Sequence, residues 1–452
     1  MYKMDTYKVG FGRVNITPDH SVPLASFGTS RFRYHDRVLN ELYFTAIAIT
    51  GKNNKTILLT TYDITQSWSI IRNRLAERLK KDFDFDPDYL HLSGTHTHSS
   101  VDIWFDSKDI DAYNEELLEK AYKACKIALE DRKPAKMYVG ETKTRNLNFI
   151  RHYVREDGSV AGDNFGVKSP VPYKGHLSEI DESLRLIKFV RTNPDGSEAK
   201  DVVIVNWQAH NHLTGGFVKK DLAADWSGAM RSYLESEHNC YATFFQGCAG
   251  NINPKSRIKT ENRTENYLEH GRFLAEHVNE IYDTQLLTEV PFGDVLCIKD
   301  IYHAKINNAE SEKLDDALKV VAFRDKQGGV NKEGTKYAIS LGFHSVYHAV
   351  AIVNRSNIKE TEIELPLFVH KIGNIGWTAV PLEMFDQTGK EIRSASPFPF
   401  TITQGYTNAS YGYLPTTNSF RYGCYEADTS KFQEGTAEKI RDKLIDMLKS
   451  IY

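Results

Sequence analysis

The chain has 452 residues, of which 40% are hydrophobic and 26% charged, with a formal net charge of −3. This excludes a disordered chain and supplies apolar material for a large core, with a soft prior by length of about two to three domains. It also excludes phosphate-driven recognition of nucleic acid and attraction to an anionic membrane, because no basic run occurs, and patches such as Arg31-Phe32-Arg33 and Lys80-Lys81 are read as solvated surface.

No apolar signal segment precedes the first strand, expected by about Lys8. Segments 44–50 and 56–61 read as two buried strands of a hairpin across Gly51–Asn54, followed by a helical period over 68–83 and a short strand at 89–93. A long amphipathic helix is expected at about 112–131. Strands follow near 137–141, 184–190, 201–206 and 241–246, with helices near 225–237 and 263–283. The stretch 143–182, rich in Gly, Pro and Asn, reads as a long functional loop. Alternation of strand and helix predicts an α/β class with a mixed sheet core and flanking helices. After about residue 290 the pattern changes. Segments 294–304, 338–350, 360–370 and 374–380 alternate like antiparallel strands, and 431–450 reads as a closing helix. The expected organisation is an α/β portion over 1–290 and a strand-rich antiparallel portion over 291–452, packed as one catalytic unit.

Cys125, Cys240, Cys248, Cys297 and Cys424 are odd in number and form no C-x-x-C pair, which argues against a disulfide scaffold and a cysteine zinc site. No apolar run approaches the roughly 18 residues of a membrane span. The expectation is a soluble, cytoplasmic protein with a small-molecule substrate, no nucleic acid, no stable membrane association and room for an oligomer.

Two constellations carry chemistry. Ser93-Gly94-Thr95-His96-Thr97-His98-Ser99 sets two histidines at i and i+2, on one face of an extended segment, just past a buried strand. Open α/β sheets build their sites at such strand ends. The strand Val202–Trp207 ends the same way, in His210-Asn211-His212. Two such ends in one core point to a shared metal, for which neutral imidazole is a common ligand. His344 and His348 fall in a segment read as strand and are assigned to packing. His-Glu-x-x-His and a P-loop are absent, and Gly10-Phe11-Gly12 lacks the third glycine of a dinucleotide loop.

Taken in order, the motifs resemble those of the neutral/alkaline (non-lysosomal) ceramidase family, catalytic domain, as in its bacterial members. Gly12-Arg13-Val14-Asn15-Ile16-Thr17-Pro18 is similar to the family's first strand, and 93–99 to its S-x-T-H-T-H-S motif. Asn148-Phe149-Ile150-Arg151 with Asp157-Gly158, Asp225-Trp226-Ser227-Gly228, 247–254, Val380-Pro381-Leu382-Glu383, Gly412-Tyr413-Leu414-Pro415-Thr416 and Tyr425-Glu426 follow in family order. The resemblance implies a zinc ion held by His96, His210, Glu383 and Tyr413. It implies a water activated by that ion, with His98 as general base and Arg151 and Tyr425 facing the substrate. His212, Asn253 and Asp225 are expected around the substrate, with Asp63 and Asp225 also weighed as groups behind the ligands. Three departures bear on substrate. Asn253 stands where ceramidases carry a serine, with Asn251 in place of the aspartate; an amide side chain cannot attack. The chain closes soon after the tyrosine segment, so no C-terminal β domain is expected. No secretion signal accompanies it. These features turn the expectation from a lipid to a soluble substrate. Three readings stay open: a zinc amidase on an N-acyl compound, a zinc hydrolase of an ester or glycosidic bond in a sugar derivative, and a non-catalytic binding protein on this fold.

Overall fold

The computed structural model describes residues 6–27, 33–162, 171–216, 219–255, 263–308 and 310–452. Its centre is a nine-stranded mixed sheet, in the order Cys240–Gln246, Asp201–Trp207, Ser183–Arg191, Lys133–Lys143, Tyr7–Asn15, Tyr43–Thr50, Thr56–Tyr62 and Leu90–Gly94, with Thr288–Val290 also paired to Lys133–Lys143. The middle of the sheet is antiparallel, and the predicted hairpin is there with Thr50 opposite Thr56. Both edges are parallel: Thr56–Tyr62 with Leu90–Gly94, and Asp201–Trp207 with Cys240–Gln246. Parallel neighbours buried on both faces need continuous apolar runs, which Ile57-Leu58-Leu59 and Val202-Val203-Ile204-Val205 supply. The sheet curls until its two edges meet, and Cys240–Gln246 packs against Leu90–Gly94.

Helices Ser69–Phe83 and Lys108–Glu130 cover one part of the sheet, the second opening on a Ser107 side-chain cap. Asp225–Glu237 and Arg263–Tyr282 pack together over another part, around Trp207, Trp226, Phe244 and Leu274. A second sheet runs Val295–Lys305, Glu362–Ile372, Ile375–Ala379 and Phe400–Gln404, and the closing helix Thr436–Ile451 lies on it. The α/β class with a mixed sheet core and flanking helices is present as expected.

Three local expectations are corrected. Segment 338–350 is not a strand: Lys332–Ser340 and Val346–Ser356 are helices, separated by a turn at Gly342, φ 82°. The stretch 143–182 is not a loop throughout, because His152–Arg155, Val160–Gly162 and Tyr173–His176 form a small sheet; residues 163–170 lie outside the described residues. Arg33 is not solvated surface. It is 1% exposed and donates to the carbonyls of Gly216 and His98, at 2.8 and 3.2 Å. Arg31 and Phe32 lie outside the described residues, while Lys80 and Lys81 are exposed as expected. All five cysteines are free thiols, four of them buried. Among the described residues no helix is long and apolar enough to cross a membrane.

Candidate metal centre and active site

The first histidine motif leaves the edge strand Leu90–Gly94 and the second leaves Asp201–Trp207, one strand in from the opposite edge, and the curl brings them together. Thr97 and Asn211 form a parallel bridge, so the two i, i+2 pairs stand side by side. His96 adopts a left-handed backbone, φ 63°, a conformation costly for a residue with a side chain and found mostly where the surroundings enforce it. Here the backbone N–H of His96 donates to Ile64 O at 3.1 Å, and Thr95 Oγ1 donates to Asp63 Oδ1 at 3.2 Å. Asp63 in turn is clamped by Arg231, at 2.9 and 2.7 Å, so it braces the loop from behind.

The other two expected ligands come from the far end of the chain. Strands Glu383–Met384 and Tyr413–Leu414 pair in parallel with Glu383 directly opposite Tyr413. Glu383 Oε2 lies 3.4 Å from His96 Nε2 and 3.8 Å from His210 Nε2, and the Tyr413 hydroxyl is 3.4 Å from His210 Nε2. The structure therefore brings His96, His210, Glu383 and Tyr413 into one cluster.

The hydrogen bonds around the cluster decide which atoms face inward. His96 Nδ1 is 2.7 Å from the Thr65 carbonyl, and His210 Nδ1 is 3.0 Å from the Ile252 carbonyl. A carbonyl only accepts, so each Nδ1 carries the proton and each Nε2 presents a lone pair to Glu383. Glu383 Oε1 accepts from Gln66 Nε2 at 2.8 Å. Its Oε2 is buried and takes no hydrogen bond of normal geometry, although Tyr413 is close enough to draw on its charge. Burial drives the His96 imidazole down to about 3 and the His210 imidazole well below its usual value, while it pushes the Glu383 carboxyl up to about 7 against the pull of Arg151. Two neutral nitrogens and a buried carboxylate converging on one point, each steadied by an outer partner, fit a divalent cation of the zinc type. Burial also raises the Tyr413 phenol well above its usual value; a cation beside it would act the other way.

His98 Nε2 lies 3.2 Å from His96 Nε2, and His96, His98 and His210 can direct one ligand atom each to within 4.8 Å of one another. His98 is half-buried, its ring edge-on to Phe27 at 5.3 Å, and burial lowers its imidazole well below the usual range. Arg151 is buried beside the cluster. It donates from NH2 to Gly250 O at 2.9 Å, has NH1 3.4 Å from His210 Nε2, and lies over the Tyr413 ring at 5.5 Å. Tyr425 meets Tyr413 edge-on at 5.7 Å. His212 and Asn253 pair at 3.1 Å beside the histidines. Asp225 is not among the groups that converge here. Its carboxylate is fully buried, accepting from Thr214 N and Oγ1 and from Trp226 N at 2.6–2.7 Å, and it pins the His212 loop to a helix start.

Sequence reasoning left four neighbours without a role. Glu426 holds both Arg151 Nε at 2.5 Å and His152 Nε2 at 2.7 Å; burial opposes its charge, but Arg151 and His152 bring its carboxyl down to about 2. Gln66 orients Glu383, and the Tyr406 ring packs on His96 at 4.2 Å. Glu426 and His152 adjoin Tyr425 and Arg151 in sequence, and that adjacency was the available signal. Nothing in the sequence around Gln66 or Tyr406 points to the site.

No family model matches the chain. Among solved structures it is similar to the neutral ceramidase of Pseudomonas aeruginosa, with a TM-score of 0.74 and 16% identity over 99% of this chain and 74% of that one. It is also similar to a ceramidase complexed with C2, with a TM-score of 0.72 and 16% identity over 99% of this chain and 75% of that one. The fold is thus that of the neutral ceramidases, as the ordered motifs implied.

Proposed function

We propose that this chain is a zinc-dependent hydrolase that cleaves the C–N bond of a soluble N-acyl compound with water. The observation that carries the reading is the convergence of His96 Nε2, His210 Nε2 and Glu383 Oε2, each side chain fixed by an outer hydrogen bond and both imidazole nitrogens turned inward as lone pairs. The likeness of the fold to a neutral ceramidase supports amide chemistry. A zinc ion at that point would supply Lewis acidity and make a water nucleophilic near neutral pH.

The chain's own residues divide the remaining work. His98, neutral because it is buried, takes a proton at the nitrogen that faces the cluster and later returns it to the leaving amine. Burial weighs against the charge of Arg151, but Glu426 and Tyr413 outweigh it, so the guanidinium stays cationic and donates to the oxygen on which negative charge develops. The Tyr425 hydroxyl is a second donor on the same side. Asn253 and His212 bind the substrate by hydrogen bonds, and an asparagine there leaves no serine to form an acyl-enzyme. Polar groups on this side (His212, Asn253 and Arg151) suit a soluble substrate.

The test is elemental analysis of protein purified without chelator or histidine tag, followed by assay of amine release from a panel of soluble N-acyl compounds. About one zinc at this site and metal-dependent amine release are expected. Protein that takes up no zinc here, or a zinc-loaded protein that releases no amine across the panel, would overturn the reading.

A further inference from the structure

A second group of metal-type donors lies on the far side of Tyr425. Helices Leu314–Lys326, Lys332–Ser340 and Val346–Ser356 form a small unit with its own core of Ala317, Val320, Ala338, Phe343, Val346 and Ile352. The last of these helices packs on the short helix Tyr425–Thr429. Ser345 caps it, accepting from His348 N at 3.2 Å, which sets His344 just before the helix and His348 in its first turn. The two rings lie 4.9 Å apart with their planes inclined at 29°. His344 Nδ1 is 2.8 Å from Asp428 Oδ2, and His348 Nε2 is 2.5 Å from Glu310 Oε2.

We propose that His344, His348 and Asp428 bind a divalent cation, with Glu310 as the carboxylate behind His348. The three can each direct one ligand atom to within 4.8 Å of the others. Two imidazoles and a carboxylate are a zinc donor set. Glu310 accepts the Nε2 proton of His348, which leaves Nδ1 as the donor atom. That nitrogen accepts a long hydrogen bond, 3.4 Å, from the His344 backbone N–H, which an incoming ion would displace. A carboxylate on the outer nitrogen of a ligating histidine is the usual way a site fixes tautomer and ring orientation. A cleft of about 560 Å³, lined by Glu310, His344, Arg355 and Asp428, gives an ion a route to His344 and Asp428, while His348 is buried.

The position gives the ion a purpose. Asp428 follows Tyr425 by three residues, and Arg355 NH1 donates to its carbonyl at 2.8 Å. Between the two histidines, Tyr347 sets its ring edge-on to Tyr425 at 5.5 Å and donates from its hydroxyl to Phe27 O at 3.3 Å. A cation held by both segments clamps the three-helix unit to the helix that carries Tyr425 and Glu426, and so stiffens one wall of the first site.

The test counts zinc on the whole chain by equilibrium dialysis and elemental analysis, for wild type, His96→Ala, His344→Ala and the double variant. About two ions are expected on wild type, about one on either single variant and none on the double. His344 is exposed, so its truncation leaves the fold intact, as circular dichroism will verify. Asp428→Asn in the His96→Ala background should weaken the remaining ion about tenfold or more. A His96→Ala protein that binds no zinc, or one whose remaining zinc is indifferent to both His344→Ala and Asp428→Asn, overturns the proposal. If His344→Ala loses an ion and His96→Ala does not, this site stands and the reading of the first one fails.

Discussion

His96 and His98 are two residues apart, and their outer partners differ. His96 is locked by the Thr65 carbonyl with its Nε2 turned to Glu383, whereas His98 Nδ1 is buried with no hydrogen-bond partner among the described residues. His96→Ala should therefore lose the ion of this site, and His98→Ala should keep it while losing rate; metal content against wild type, read beside turnover, checks both. If His98→Ala sheds the ion, the three-histidine set is the true ligand set. Glu426 is the counter-charge that keeps Arg151 aimed. Glu426→Gln should cost about 3 kcal/mol in a denaturant titration, because it strands a buried guanidinium, and should lower kcat as well. An unchanged kcat in folded protein would reduce Glu426 to packing. Gly250 shows how close the backbone runs here: a Cβ on it would stand 2.5 Å from the Glu383 carbonyl oxygen. Gly250→Ala should displace Glu383 and weaken metal binding about tenfold or more, read by chelator competition.

Among the elements, paired strand ends rather than single motifs set the site's geometry. Thr97 bridges Asn211, and Glu383 faces Tyr413 in a two-residue parallel pair too short for any sequence pattern to announce. Segment 338–350 misleads because two periods coexist in it. Its apolar residues alternate, but Val346, Ala349 and Ile352 also recur at helical spacing, and the helices they face, Leu314–Lys326 and Lys332–Ser340, decide between the two. The junction between the two sheets carries a pH dependence. His91 Nδ1 meets His370 Nε2 at 3.1 Å, both rings fully buried; burial drives His370 down to about 3 and His91 well below its usual value. Both are neutral when folded and titrate near 6.5 when unfolded, so the unfolded chain binds more protons below that pH. Stability should fall as pH drops from about 6.5 towards 3, with His370 alone contributing a loss of about 4 kcal/mol by the lower end. Urea midpoints between pH 7 and 4 measure it. His370→Gln should flatten the slope, and an unchanged slope would show that the pair is not its source.

For the molecule as a whole, one core runs through both portions of the chain. Val295, Phe368, Ile372, Trp377 and Ile402 pack in the same cluster as Val9, Ile47, Leu59 and Leu90. Each such side chain contributes roughly 1.5–3 kcal/mol when removed from water. A fragment ending at residue 290 would expose one side of that cluster and lack Glu383 and Tyr413. It should show no cooperative unfolding transition and no tight zinc; a stable fragment would mean that the first portion is an independent domain.

The sequence by itself determined the strands around the site, the helices that flank them and the order of the motifs, because hydrophobic period and turn chemistry are local. It also singled out His96, His98, His210, Arg151, Glu383, Tyr413 and Tyr425 through the family resemblance. Only the tertiary structure decided that two opposite sheet edges meet, that Asp225 is spent on a loop while Glu426 serves Arg151, and that His344 and His348 share a neighbour in Asp428. Those outcomes depend on how far a sheet curls and on which nitrogen a distant carbonyl claims. No window of consecutive residues encodes such quantities, because they are fixed when the whole core closes.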